Sequence, residues 1–462
     1  MLMDLEQYLA ALRGKTVAVL GIGVSNTPLV ELLCRSGVRV IACDKKERAA
    51  LGDAADALEA LGATLRLGEG YLDDLAADVI FRTPGMRPDV PALLAARERG
   101  SVVTSEMQVF FEVCPCPIIA VTGSDGKTTT TTLIAEMLRA AGRRVHIGGN
   151  IGHPLLAEAG DMATDDIAVL ELSSFQLLDM TRSPHIAVLT NLAPNHLDVH
   201  RGMEEYIAAK ENIFAHQHAG DVAIFNQDND ITRALSAKAP GRVRLFSRRE
   251  EVADGAFVRG GAIWLRRGGE EREIVRTADI RIPGEHNVEN YCAAIAAVDG
   301  LVEDEVIRTV AHTFAGVEHR IELVRERRGV RWYNDSVATS PTRAIAGLRS
   351  FPEKVILLAG GYDKHIPFAP LAPEIVAHVK LLILCGATEQ AIRAAVEGYE
   401  GYHGEPPILR CDTLAEAVAL ADAHAQPGDV VTLSPACAAF DQFPNFAERG
   451  RAFKAMVRAL PE

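Results

Sequence analysis

Aromatic side chains are scarce in this chain. They make up 5% of its 462 residues, and only two are tryptophan. A β-sandwich leans on aromatic packing between its sheets, so the shortage favours an α/β enzyme. Cysteine is thin as well, with eight residues scattered along the sequence. The close pair Cys114 and Cys116 is too tight for a CxxC motif and has no second pair to accompany it, which argues against a disulfide framework or a zinc site of ordinary spacing. Reduced thiols in a cytoplasmic setting are the expectation.

Positive charge is in deficit. Lys and Arg number 48 against 62 Asp and Glu, a net charge of −14. That balance speaks against a general nucleic-acid binder while leaving room for local basic pockets that hold phosphates. Long apolar runs are missing too. Each is broken by glycine, proline or charge, so no segment reads as membrane-spanning. The first residues, Met1 to Glu6, have neither the basic flank nor the apolar core of a signal peptide. These absences point to a cytoplasmic protein that works away from membranes and nucleic acids, and a monomer is the expectation.

What the chain does have is alternating short strands and helices. Its length allows about three domains of roughly 150 residues each. In residues 1–111, Lys15 to Gly21, Val38 to Asp44 and Asp78 to Gly85 read as strands, with a helix from Ser25 to Ser36. This is the pattern of a Rossmann-like, doubly wound sheet. Cys114-Pro-Cys-Pro117 marks a boundary. Residues 112–315 carry strands at Pro117–Val121, Asp166–Glu171, His185–Asn191 and Asp221–Asn226, and a helix from Thr129 to Gly142. From Arg242 to Ile282 the period shifts to alternation around Gly260-Gly261 and Gly268-Gly269, which predicts an antiparallel sub-sheet, closed by a helix from Val288 to Val298. Residues 316–462 return to a parallel, Rossmann-like pattern, with strands at Gly329–Tyr333, Lys354–Gly361, Val379–Gly386 and Asp429–Pro435. The expected fold class is α/β with three domains, the central one P-loop-like.

The chemistry concentrates in Val121-Thr-Gly-Ser-Asp-Gly-Lys-Thr-Thr129. A strand, a glycine turn, a lysine, a threonine and a helix together make a phosphate cradle. Gly123 and Gly126, with Ser124 and Asp125 between them, turn backbone N–H groups inward, and the helix N-terminus from Thr129 adds partial positive charge. Lys127 reaches terminal phosphates and Thr128 offers a hydroxyl to Mg²⁺. A plain strand-to-helix turn explains Gly126 alone, but not both glycines with the lysine and threonine.

Other constellations lie at strand ends, where open α/β sheets bind ligands. Gly21-Ile-Gly23-Val24-Ser25-Asn26 resembles a dinucleotide fingerprint with Asn26 in place of the third glycine. It reads as a diphosphate turn or as a tight turn with Ser25 capping a helix. Asp44 is placed to accept a ribose or base edge, and Thr83 and Gly85 line the same crevice. Glu171 is a Mg²⁺ ligand beside the cradle or a helix cap. His196 reads as a ligand for a second ion or as a structural histidine. Lys210 reads as a solvated lysine on the segment Met203–Phe214. Asn287 and Asn290, three apart, suit a purine edge or serve as a cap and a surface amide. Arg320 can offset charge on a transferring phosphoryl group. Lys364 is a carboxylate binder, and Phe446 reads as core.

Taken in order, TGSDGKTTT, GGNIG, ELSSFQL, NHLDVH, YIAAK, HNVEN, EHR, NDS and SPACAAFDQFPNFAERG resemble the Mur ligases over essentially the whole chain. Among these, the match is to the members that add D-glutamate to UDP-N-acetylmuramoyl-L-alanine in peptidoglycan synthesis. The resemblance implies an ATP-dependent amide ligase working through an acyl phosphate with two Mg²⁺ ions; substrates held by three domains suggest closure on binding at hinges near residues 112 and 316. It implies that Gly23, Val24, Ser25, Asp44, Lys45, Thr83, Gly85 and Asn150 hold the UDP substrate. Lys127 and Thr128 would bind ATP phosphates, Glu171 a Mg²⁺, and His196 with a carbamylated Lys210 a second ion. Asn287 and Asn290 would face adenine, with Arg320 and Asp335 on the rest of ATP. Thr339, Lys364, Phe440 and Phe446 would lie near D-glutamate. Two positions depart: Val337 stands where the family often has lysine, and Ala439 where it often has serine. They keep an L-glutamate-using Mur ligase open, and a folylpolyglutamate synthase-like ligase is the other alternative.

Overall fold

A computed structural model describes residues 3–23, 26–194, 199–364 and 366–461. Its strands form three sheets. The first holds β1 (Thr16–Leu20), β2 (Arg39–Asp44), β3 (Thr64–Leu67), β4 (Val79–Phe81) and β5 (Val102–Thr104), in the order β3-β2-β1-β4-β5 and parallel throughout. Val17 to Leu20 are buried, as expected where helices cover both faces. The order reverses between β1 and β4, so a crevice opens at their carboxyl ends. β4 is shorter than expected, ending at Phe81, one residue before Arg82 makes the last cross-strand bond to the Thr104 carbonyl. The helix after β1 runs Thr27–Arg35, later than the expected start at Ser25.

The second sheet holds β6 (Ile118–Thr122), β7 (Val145–Gly149), β8 (Ile167–Glu171), β9 (Ile186–Leu189), β10 (Val222–Asn226), β11 (Arg242–Ser247), β12 (Gly255–Arg259), β13 (Ala262–Arg267) and β14 (Glu270–Arg276). Their order is β14-β13-β12-β11-β10-β9-β6-β8-β7. The antiparallel region starts later than the alternation implied. β11 is parallel to β10, and β12 to β11, so only β12 to β14 form an antiparallel ribbon. The reason is the helix Asp230–Ser236, capped by the Asn229 side chain on the Thr232 N–H, which makes β10 to β11 a crossover connection.

The third sheet holds β15 (Glu322–Arg327), β16 (Val330–Asn334), β17 (Val355–Ala359), β18 (Val379–Leu384), β19 (Ile408–Arg410) and β20 (Val430–Leu433), ordered β15-β16-β20-β17-β18-β19. The sheet is mixed and not wholly parallel, because β15 pairs antiparallel with β16. The two-residue turn between them, Arg328-Gly329, has both φ angles positive, 51° and 74°, which matches the right-handed twist of a hairpin.

The chain divides into two compact units. One contains residues 1–277 with 289–310, and the other 278–288 with 311–462. The first carries the first two sheets and the second carries the third. Among the described residues, no helix is long and apolar enough to cross a membrane.

Candidate active site

The turn after β6 is held from outside by β9. The Ser124 N–H donates to the Asn191 carbonyl at 2.8 Å, the Asp125 N–H to Asn191 Oδ1 at 2.9 Å, and Thr190 Oγ1 to the Asp125 carbonyl at 2.5 Å. A Cβ on Gly123 would lie 1.9 Å from Thr190 Oγ1, so glycine is required for this close approach. Gly126, with φ 78°, turns the chain into the helix Lys127–Ala140, two residues earlier than the expected start at Thr129. Lys127 Nζ folds back onto the Ser124 carbonyl at 2.8 Å.

Glu171, at the end of β8, faces this turn. Its Oε2 accepts from Thr128 Oγ1 and its Oε1 from Asn150 Nδ2, both at 2.7 Å. A buried carboxylate beside a hydroxyl supplies the hard oxygens that Mg²⁺ takes. The cap reading fails, because Ser173 caps the following helix, Ser174–Leu177. Among the described residues no three His, Cys, Asp or Glu side chains gather into a metal set, so phosphate oxygens and water would have to complete such a shell. His196 lies outside the described residues.

Lys210 corrects the sequence reading most sharply. Its helix, Met203–Glu211, stops short of Phe214, and the lysine is 1% exposed, not solvated. Nζ donates to Thr122 Oγ1 and to the Gly123 carbonyl, each at 3.0 Å, and sits 5.0 Å from the Tyr206 ring centroid. Burial pushes its pKa well below the ordinary lysine value. Lys127 adds to that shift and Glu171 opposes it. The helix pattern hid this because the polar partners of the lysine, Thr122 and Gly123, lie far away in the sequence. Asn290 Oδ1 accepts from Thr130 Oγ1 at 3.3 Å on the same cradle. Its helix runs Glu285–Val298, starting earlier than expected. Asn287 falls in the other unit, where its amide donates to the Pro283 carbonyl at 2.5 Å.

In the first sheet, Asp44 is buried and both its oxygens hold backbone: Oδ2 accepts from the Ile22 N–H at 2.7 Å and Oδ1 from the Lys46 N–H at 2.8 Å. Thr83 packs on the glycine turn, since a Cβ on Gly21 would lie 3.0 Å from Thr83 Cβ. Asn26 is buried and donates to the Leu20 carbonyl at 2.9 Å. Gly23, Asp44 and Thr83 thus share one crevice rim, with Lys45 and Gly85 exposed. Val24 and Ser25 lie outside the described residues.

In the second unit, Asp335 follows β16 and accepts from Ser434 Oγ at 2.7 Å. Burial lifts its pKa to about 7, against the opposing pull of Ser434 and Arg320. Lys364 Nζ reaches the Thr339 carbonyl and Oγ1, both at 3.3 Å. Phe440 is 62% exposed and packs edge-on against Tyr362. Phe446 is 39% exposed, so the core reading is wrong: it opens the helix Phe446–Ala459 and lies edge-on to His319. Arg449, which the sequence did not single out, braces this loop. Its guanidinium donates to Ser336 Oγ and to the carbonyls of Ser336, Cys437 and Ala438, each at 3.0 Å.

The Mur ligase middle domain pattern matches residues 121–298, and the pattern described as Mur ligase, glutamate ligase domain matches residues 319–437. Over 461 residues the chain is 53% identical to the UDP-N-acetylmuramoylalanine--D-glutamate ligase of Acetivibrio thermocellus, covering 99% of each. The chain belongs to the Mur ligase family. A second UDP-N-acetylmuramoylalanine--D-glutamate ligase, from Clostridium beijerinckii, is 50% identical over 459 residues, again with 99% of each chain covered. Among solved structures, the UDP-N-acetylmuramate-alanine ligase MurC of Thermotoga maritima aligns with a TM-score of 0.58 at 18% identity, over 96% of this chain and 99% of that one. That likeness speaks to the shared fold alone.

Proposed function

We propose that this Mur ligase joins D-glutamate to UDP-N-acetylmuramoyl-L-alanine in peptidoglycan synthesis, driven by ATP. The reading rests on one arrangement above all: the TGSDGK turn with Thr128 and Asn150 both on Glu171. The names of relatives near 50% identity support the choice of substrates. The residues act in three proposed regions, 1–111 for the UDP substrate, 112–315 for ATP and 316–462 for the amino acid, and the protein works as a cytoplasmic monomer.

The carboxylate of the alanyl substrate is a poor electrophile. Transfer of the γ-phosphoryl group makes it an acyl phosphate, and ADP leaves. The neutral amine of glutamate then attacks the acyl carbon, the new amide forms, and phosphate departs. The N–H groups of the first turn of the helix from Lys127, and the Lys127 amine, bind and orient the phosphates, and Arg320 offsets charge that spreads over the transferring oxygens. Thr128 and Glu171 would hold Mg²⁺, which when bound supplies charge neutralisation on phosphate oxygens. Lys210, buried and biased to the neutral amine, is suited to take up CO₂, giving a carbamate and one proton and so an oxygen donor for a second ion with His196. Lys364 and Thr339 orient the amino-acid carboxylate, with Phe440 and Phe446 at the rim.

Phosphate release measured with the muramyl substrate and D-glutamate, L-glutamate or no amino acid tests this. D-glutamate-dependent release is expected. Release with L-glutamate alone would replace the amino acid in the assignment, a point kept in view by Val337 and Ala439.

A further inference from the structure

The loop that follows β4 reaches out of the first sheet and holds two elements of the second. Arg82 is fully buried. Its Nε donates to Asp179 Oδ2 at 3.1 Å, and its Nη2 to Asp179 Oδ1 and to the Phe175 carbonyl, the latter at 3.3 Å. Phe175 and Asp179 belong to the short helix Ser174–Leu177 and its exit, directly downstream of Glu171. Arg87 grips Glu205 with both amino groups, at 2.7 and 2.8 Å, holds Asp89 at 2.9 and 3.0 Å, and donates to the Val199 carbonyl at 3.0 Å. Glu205 lies in the first turn of Met203–Glu211, the helix whose last turn carries Lys210.

The two held elements are also joined to each other. The Phe175 and His200 rings stack with centroids 5.4 Å apart, His200 meets Tyr206 edge-on at 5.4 Å, and the Tyr206 hydroxyl lies 2.9 Å from Ser124 Oγ in the cradle. A simple seam between two sheets needs only apolar contact, and exposed ion pairs contribute little. Here a fully desolvated guanidinium and a two-pronged, partly exposed pair are aimed at the helices beside two proposed metal-site residues. Bidentate geometry fixes direction as well as distance.

We infer that Arg82 and Arg87 are positioning residues for phosphoryl transfer: from the loop that lines the substrate crevice, they hold Glu171 and Lys210 in register with the phosphate cradle. The inference rests on the Mur ligase reading and on Lys210 acting as a carbamate.

The test uses the full-length protein and the variants Arg87→Ala, Arg87→Lys and the charge swap Arg87→Glu with Glu205→Arg. Turnover, the half-saturating Mg²⁺ concentration, the KM for the UDP substrate and the ¹³C signal of the Lys210 carbamate formed from labelled bicarbonate are measured. Losses of the size seen when residues supporting a metal ligand are removed, about 10- to 100-fold in turnover or Mg²⁺ affinity, are expected for Arg87→Ala. The carbamate signal falls, the KM for the UDP substrate stays within about twofold, and the swap regains most of the loss. A thermal melt separates this from unfolding, and Arg87→Lys, which keeps charge but not the fork, falls between. If the wild type gives carbamate and turnover but Arg87→Ala matches it on both, or loses only KM, the positioning role is overturned. If the wild type itself gives neither, the proposed ligase function with its Lys210 carbamate fails instead.

Discussion

Two glycine turns in this molecule look alike in sequence and differ in what satisfies them. Gly21-Ile-Gly23 follows β1, and Gly123-Ser-Asp-Gly126 follows β6. Both leave buried parallel strands and lead into helices. In the first, an acid from the neighbouring strand takes the turn's own amide: Asp44 Oδ2 accepts from Ile22. In the second, the neutral groups Thr190 and Asn191 pin the turn from outside, its acid Asp125 is exposed, and Lys127 follows at once. A turn stapled by a carboxylate repels a chain of phosphates and favours donors such as ribose hydroxyls or a base edge. A turn pinned by neutral groups keeps its positive character for the phosphates. On the proposed function, one topology thus serves two different receptors.

The largest effect expected from this contrast is on chemistry. Lys127→Ala should cut turnover by about 10³-fold while the UDP substrate binds nearly as before. Calorimetry of that substrate with the variant checks it, and a matching loss of binding would erase the distinction between the turns. Next comes packing. Gly123→Ala places a Cβ 1.9 Å from Thr190 Oγ1, whereas Gly23 has nothing within 4 Å of the same position. Denaturant melts should show a loss of roughly 3 kcal/mol for the first and under about 1 kcal/mol for the second. Equal losses would mean that the two turns are equally tight.

Smaller in effect, Asp44→Asn should raise the KM for the UDP substrate about tenfold and leave that for ATP unchanged, since one charged hydrogen-bond acceptor is removed. The reverse pattern in steady-state kinetics would move the nucleoside edge elsewhere. A separate, pH-dependent effect concerns Asp335, an acid whose burial is not fully offset. Its folded pKa of about 7 stands above the ordinary 3.8, so the unfolded chain ionises first as pH rises. This carboxyl therefore takes stability from the wild type between about pH 4 and 7 and no more above that. Asp335→Asn lacks this loss, so its melting temperature should gain on the wild type across that window and then stay level. A difference that is flat with pH would show that the carboxyl titrates normally.

Much of this was readable in advance. β1, β6 and β17 are short apolar runs buried on both faces, and such runs announce themselves. Lys127, Thr128 and Glu171 were legible because a local turn and one strand end place them. Other features depended on distant partners. Arg82 finds Asp179 97 residues away, Arg87 finds Glu205 at 118, and Arg449 finds Ser336 at 113. Nothing local reports those pairings. β15 was missed because Glu322–Arg327 is rich in charge and earns its place only by the hairpin turn at Arg328-Gly329. The solvated reading of Lys210 failed because its helix is nearly uniform in polarity, and the groups its amine meets, Thr122 and Gly123, lie 88 and 87 residues away.

The measurement that bears most directly on the account follows oxygen. If the alanyl carboxylate of the muramyl substrate is labelled with ¹⁸O, an acyl phosphate must pass one labelled oxygen to each phosphate released as D-glutamate is joined. Phosphate carrying that single label is the predicted result; unlabelled phosphate released alongside the amide product would contradict it.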